Sequence, residues 1–243
     1  VTNVGNMSDI GAAGDAQKAY DAGVTIGTYL KQLGFNVDYA PVADVLTNPG
    51  NTAIGTRSFG SDASMVADMV IKELEGLSSQ GVFGAVKHFP GQGGVSGDSH
   101  DGAVTLDKSL EELMQTELVP FQKALENGVS FVMVGHISVP QVVGDNTPAS
   151  LSQMMVSNVL REQLGYQGIV ITDAMNMGAV TGNYTADQAA VMAVNAGVDM
   201  ILMPQDYETA YNGLLQAVQD GTISEERIDE SVERIVKVKL QMQ

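Results

Sequence analysis

The chain has 243 residues, of which 44% are apolar and 17% charged, enough to bury a sizeable core and too apolar to be disordered. Its 29 acidic residues against 12 basic ones give a formal charge of -17, which repels a phosphate backbone and argues against nucleic acid as a partner. It has no cysteine, which excludes disulfides, thiolate nucleophiles and thiolate metal sites, and no apolar run approaches the roughly 18 residues of a membrane span.

In chain order, Val1–Gly14 reads as a loop and Asp15–Leu33 as a helix. Five times a helix-like stretch then ends at a glycine and a short β-rich run follows. The joints are Gly34 before Phe35–Val42, Gly81 before Val82–Phe89, Gly128 before Val129–Ile137, Gly168 before Ile169–Thr172, and Gly197 before Val198–Met203. Glycine just past a helix end supplies the left-handed cap. The runs themselves are apolar and β-branched, as strands buried on both faces are. Between them, Leu110, Leu113, Leu118, Phe121 and Leu125 form one helical stripe after a Ser109–Glu112 capping-box pattern. Ile228, Val232, Ile235 and Val236 repeat the spacing in a last helix that also gathers Arg227, Arg234, Lys237 and Lys239.

Strands alternating with helices predict an α/β fold with a parallel sheet, either an open doubly wound sheet or a (β/α)8 TIM barrel. No GxGxxG or Walker pattern follows the first strand, which disfavours nucleotide binding. A barrel needs eight strands and five are legible, so the others precede Val1 or are poorly patterned; with no linker in sight, 1–243 reads as one domain, an incomplete barrel in the first case. Such a barrel with two open sheet edges is expected to be unstable or inactive alone.

The polar residues cluster at strand ends. His88 ends AVKHF, His136 ends VMVGH, Asp173 ends IVITD, and His100 sits in the glycine-rich loop GQGGVSGDSHDG. In a barrel the C-terminal strand ends open onto one face, where catalytic groups collect, although strand ends carry polar residues in any case because they meet water. Asp173 is the candidate nucleophile: a carboxylate held at the edge of an apolar strand can attack an anomeric carbon. The bland alternative is a helix N-cap. Asp98 precedes His100 by two residues and can accept its ring N–H, fixing the tautomer and raising its basicity; a D-x-H tripeptide also occurs by chance in solvent loops. Lys87 and Arg57 read either as substrate clamps or as ion pairs and loop braces, and Asp44 reads as structural. Met175 and Met177 flank Asp173, where methionine is more often core filler than ligand contact.

These residues together carry a resemblance. KHFPGQGGVSGDSH (Lys87–His100) is similar to the KHFPGHG…DSH signature of glycoside hydrolase family 3, in its NagZ-like β-N-acetylhexosaminidase branch. NPGNTAIGTRSFGSD (Asn48–Asp62), VITDAMNMGAV (Val170–Val180), APVADV (Ala40–Val45) and AGVDMILMP (Ala196–Pro204) also resemble the family's segments, in its order. The resemblance implies a (β/α)8 barrel and a retaining hydrolase that releases terminal β-linked N-acetylglucosamine, with peptidoglycan fragments the expected source. It implies Asp173 as nucleophile, His100 partnered by Asp98 as acid/base, and Arg57, Lys87, His88, His136 and Met175 around the sugar, with no metal or cofactor. The family's HGD is Gln92-Gly93-Gly94 here, which predicts altered behaviour of a mobile loop. The Asp of the family's D-x-E-G-G motif is expected upstream of Val1.

The competing readings are a β-glycoside phosphorylase, for which an imidazole acid/base does not repel phosphate, a β-glucosidase-type member, a metal-dependent hydrolase using His88, His100, His136 and Asp173, and a non-catalytic sugar-binding protein. The expected partner is a carbohydrate. Neither oligomeric state nor compartment is legible: the composition suits the cytoplasm as well as secretion or the cell wall.

Overall fold

The computed structural model describes residues 2–99 and 102–242. They fall into two compact units, one built from 2–96 and 110–133, the other from 97–99, 102–109 and 134–241. The fold is α/β, with parallel strand pairs and helices, and among the described residues the strands do not close into a ring.

The first unit opens with α1 (Met7–Ala12), where a loop was expected. Met7, Ile10 and Ala12 give this stretch only a weak apolar signal; the helix packs on the 55–60 turn, so tightly that a Cβ on Gly11 would fall 1.7 Å from the Phe59 carbonyl oxygen. Helix α2 (Ala16–Gln32) starts where the Asp15 carboxylate accepts from Gln17 N at 3.1 Å. Strand β1 (Val37–Asp38) is two residues long, not the eight of 35–42, because Pro41 has no N–H to offer a ladder. Beyond it the chain still follows its neighbour: Lys87 N donates to Pro41 O (3.1 Å) and Ala43 N to Lys87 O (2.6 Å).

Helix α3 (Ala63–Ser79), capped by Asp62, packs on α2 through glycines. A Cβ on Gly23 would meet Glu73 O at 2.3 Å and one on Gly76 would meet Tyr20 O at 2.2 Å, so the two backbones touch directly. Strand β2 (Phe83–Phe89) pairs in parallel with β1, Val37 opposite Phe83. After β3 (Val104–Thr105), which belongs to the second unit, come α4 (Leu110–Gln115) and α5 (Val119–Glu126). One helix was expected here; Pro120 cannot donate its backbone N–H and fits only a first turn, so the stripe divides into two helices. Strand β4 (Phe131–Val134), buried throughout, lies beside β2, and Phe83 meets Phe131 edge-on at 6.5 Å.

In the second unit β3 pairs in parallel with β5 (Ile137–Ser138), and α6 (Pro140–Val143) and a π-helix (Met154–Gln163) follow. Strand β6 (Ile169–Thr172) is buried at every position. After it come α7 (Gly178–Thr181), α8 (Ala186–Ala196), α9 (Tyr207–Gln219) and α10 (Glu225–Gln241). The expected strand 198–203 is reduced to a bridge between Met200 and Ile171. The reason is local: the Asp199 carboxylate itself accepts from Val170 N at 2.8 Å, where a regular ladder would use a carbonyl.

Candidate active site

The first unit holds Arg57, Lys87 and His88. Lys87 and His88 stand near the end of β2. Asp44, fully buried, organises the neighbourhood: its Oδ2 lies 2.7 Å from His88 Nδ1, and its Oδ1 accepts from His88 N at 3.3 Å and Gln92 N at 2.6 Å. A carboxylate can only accept, so Nδ1 carries hydrogen and the imidazole is held in one orientation. Asp44, read from the sequence as structural, holds the ring and backbone of His88. The Lys87 charge is felt at Asp38 on β1 and at Glu73 on α3. Burial raises the Asp38 carboxyl above its ordinary range, with Lys87 opposing, and burial pushes Glu73 up to about 8. Arg57 is exposed, and its Nη2 donates to Ala53 O at 2.5 Å, so it braces its own turn.

The start of the glycine-rich loop is fastened, although a mobile segment was expected. Asn51 Nδ2 donates to Gln92 O (2.6 Å), Asn48 N to Gly93 O (3.2 Å) and Asn48 Nδ2 to Val95 O (3.0 Å). A Cβ on Gly93 would sit 2.0 Å from Val45 O, so only glycine allows this approach. The NPGN segment thus serves as a clamp for the loop, a role its sequence did not reveal.

The second unit holds Asp98, His136, Asp173 and Met175. Asp173 is half-buried just past β6. Its N donates to Val134 O and its Oδ1 accepts from Ala174 N, both at 2.8 Å. No helix begins until Gly178, so Asp173 is not an N-cap. His136 is 1% exposed, with Nδ1 2.7 Å from Ser150 Oγ and Nε2 3.0 Å from Ala174 O. Sequence reasoning missed Ser150, for which no motif gave a signal. Met175 is buried, and its N donates to Leu202 O at 2.9 Å. Asp98 is half-buried, and the carbonyl of Ser99 accepts from Ala179 N at 3.1 Å, tying the loop to α7. His100 lies outside the described residues. Among the described residues, no three carboxylate or imidazole side chains gather as a metal centre requires.

Residues 1–238 match the model of the glycosyl hydrolase family 3 N terminal domain. The chain belongs to glycosyl hydrolase family 3. It is 36% identical over 231 residues to the beta-hexosaminidase LpqI of Mycobacterium tuberculosis, covering 92% of this chain and 59% of that protein. The structure of a family 3 beta-N-acetylglucosaminidase from Paenibacillus sp. str. FPU-7 superposes with a TM-score of 0.95 at 43% identity, covering 98% of this chain and 46% of that one. A beta-glucoside phosphorylase, BglX, superposes with a TM-score of 0.96 at 27% identity, covering 99% and 45%. The chain spans about half the length of the curated relatives it matches, from 44% to 59% of each. These superpositions place the fold with the TIM-barrel-like N-terminal domains of family 3.

Family 3 membership gives the second unit's geometry its chemical sense. A carboxylate whose backbone N–H is tied to one strand and whose Oδ1 is tied to the next residue has lost most of its rotational freedom. In the first unit, His88 is held in one orientation by Asp44, and Lys87 stands beside it at the same strand end.

Proposed function

We propose that the chain is the catalytic domain of a retaining β-N-acetylhexosaminidase that removes terminal β-linked N-acetylglucosamine from glycans, peptidoglycan fragments among them. In the first step an oxygen of Asp173 attacks the anomeric carbon while His100 gives its proton to the departing glycosidic oxygen. The C–O bond breaks, the aglycone leaves as an alcohol, and a glycosyl ester remains on Asp173. In the second step His100, now neutral, takes a proton from water; the hydroxide oxygen bonds to the anomeric carbon and the Asp173 carboxylate is released. Asp98 holds the imidazole by accepting its other N–H. The family resemblance assigns Arg57, Lys87 and His88 to the sugar hydroxyls and Met175 to the surroundings of the sugar.

The observation that carries this reading is the double tether of Asp173 at the end of a fully buried strand, in a chain of this family. A 2-fluoro glycosyl donor should trap the ester, and peptide mapping should find the label on Asp173. Asp173→Asn should lower kcat at least about 1000-fold, as loss of a covalent nucleophile does. Label on another residue overturns the assignment. The likeness to a phosphorylase favours a second reading, in which phosphate replaces water in the second step. Sugar 1-phosphate formed in phosphate buffer, against free sugar in its absence, distinguishes the two.

A further inference from the structure

The backbone that carries Asp173 leaves β6 and stays non-helical until Gly178, so nothing in a regular element fixes its direction. It is fixed instead by individual hydrogen bonds. Ala174 N holds Asp173 Oδ1 at 2.8 Å. The next peptide unit is held at both ends: its N–H, from Met175, donates to Leu202 O at 2.9 Å, and its carbonyl, from Ala174, faces His136 Nε2 at 3.0 Å. A carbonyl offers no hydrogen, so Nε2 must carry one. In the neutral ring Nδ1 is then an acceptor, and it faces the Ser150 hydroxyl at 2.7 Å. Ser150 is itself fastened, its N donating to Gly135 O at 3.1 Å, and it is fully buried. The chain Ser150–His136–Ala174 therefore ends on the residue whose N–H orients the carboxylate.

We infer that His136 is a positioning residue for Asp173. Its imidazole, held by Ser150 as the Nε2–H tautomer, clamps the Ala174–Met175 peptide and so fixes where Ala174 N–H aims the carboxylate. The inference rests on Asp173 being the nucleophile. Losing the clamp lets the carboxylate wander from the attack line while leaving ground-state sugar contacts in place, so the loss falls on kcat and not on KM.

The test compares His136→Phe, His136→Gln and Ser150→Ala in the full chain, measuring kcat, KM and the rate of labelling by a 2-fluoro donor. His136→Phe should lower kcat and the labelling rate about 100-fold with KM within about threefold, the size expected from a nucleophile misplaced by about 1 Å. His136→Gln, which keeps an N–H near the Nε2 position, should recover most of that loss, and Ser150→Ala should fall between. If the wild-type label lies elsewhere than Asp173, the nucleophile assignment fails and this inference falls with it. If the label lies on Asp173 but His136→Phe is labelled at the wild-type rate, with only its Tm lowered, the positioning role alone is overturned. Should His136→Phe not fold, Ser150→Ala decides: an unchanged kcat overturns the role and a kcat-only loss upholds it.

Discussion

Glu73 is a carboxyl whose chemistry departs from its type. It lies on α3, 2% exposed, and its Oε2 has no hydrogen-bond partner. Burial is the largest cause of its raised pKa; the Asp38 charge adds to it and Lys87 opposes. Unfolded, the carboxyl loses its proton near 4.5; folded, it keeps it to about 8. Between those values the native state holds a proton that the unfolded state has released. The stabilisation is therefore complete below about pH 4.5 and is lost as pH rises through about 8. Glu73→Gln, which mimics the protonated form, should match the parent in Tm near pH 5 and exceed it increasingly toward pH 9. Parallel Tm profiles across that range would refute the buried, protonated state. The sequence hid this residue, because a Glu in the charged run Lys72-Glu73-Leu74-Glu75 reads as solvent-facing. The strand-end residues Lys87, His88, His136 and Asp173 were legible because an apolar run ends visibly beside them. Their partners Asp44, Ser150 and the Ala174 carbonyl were not, since hydrogen bonds between segments distant in sequence leave no local pattern.

At the scale of elements, the α2–α3 contact shows what small residues do. Gly23 and Gly76 let each helix touch the other's backbone, and a methyl group at Gly76 would meet Tyr20 O at 2.2 Å with no side chain to give way. Gly76→Ala should therefore destabilise the chain by roughly 2–4 kcal/mol despite its better helix propensity, read as a lower denaturation midpoint. A gain in stability would show that the helices can separate freely. The helix over 15–33 and the last helix were legible in the sequence, whereas α1 was not. Element edges were not: Pro41 truncates β1, Pro120 divides α4 from α5, and the Asp199 side chain replaces a rung beside β6. In each case one residue's hydrogen-bonding capacity overrode the apolar run around it.

Across the whole molecule, a charge of -17 makes the few cations conspicuous, and three of the twelve basic residues converge on one carboxylate. Asp199, with a fully buried side chain, accepts from Arg161 Nη2 (2.5 Å), Arg234 Nη1 (3.1 Å), Ser231 Oγ (2.6 Å) and Val170 N (2.8 Å), with Arg227 at 4.0 Å. It binds α10 and the π-helix to the strand that leads to Asp173. Asp199→Asn removes the carboxylate shared by three half-buried arginines, of which Arg227 and Arg234 keep Glu230 at 3.9 and 3.7 Å, and should cost about 3 kcal/mol, with α10 becoming accessible to protease first. A Tm within a degree or two of the parent would show that the arginines find other partners. The sequence by itself determined the α/β class, the alternation of its main helices and strands, and the family, because hydrophobic period and motif spacing are properties of neighbouring residues. Only the tertiary structure decided which carboxylates are buried, which imidazole nitrogen carries hydrogen, and what anchors the backbone at Asp173. Those properties depend on desolvation and on hydrogen-bond partners brought from far along the chain, and they exist only once the core has closed around them.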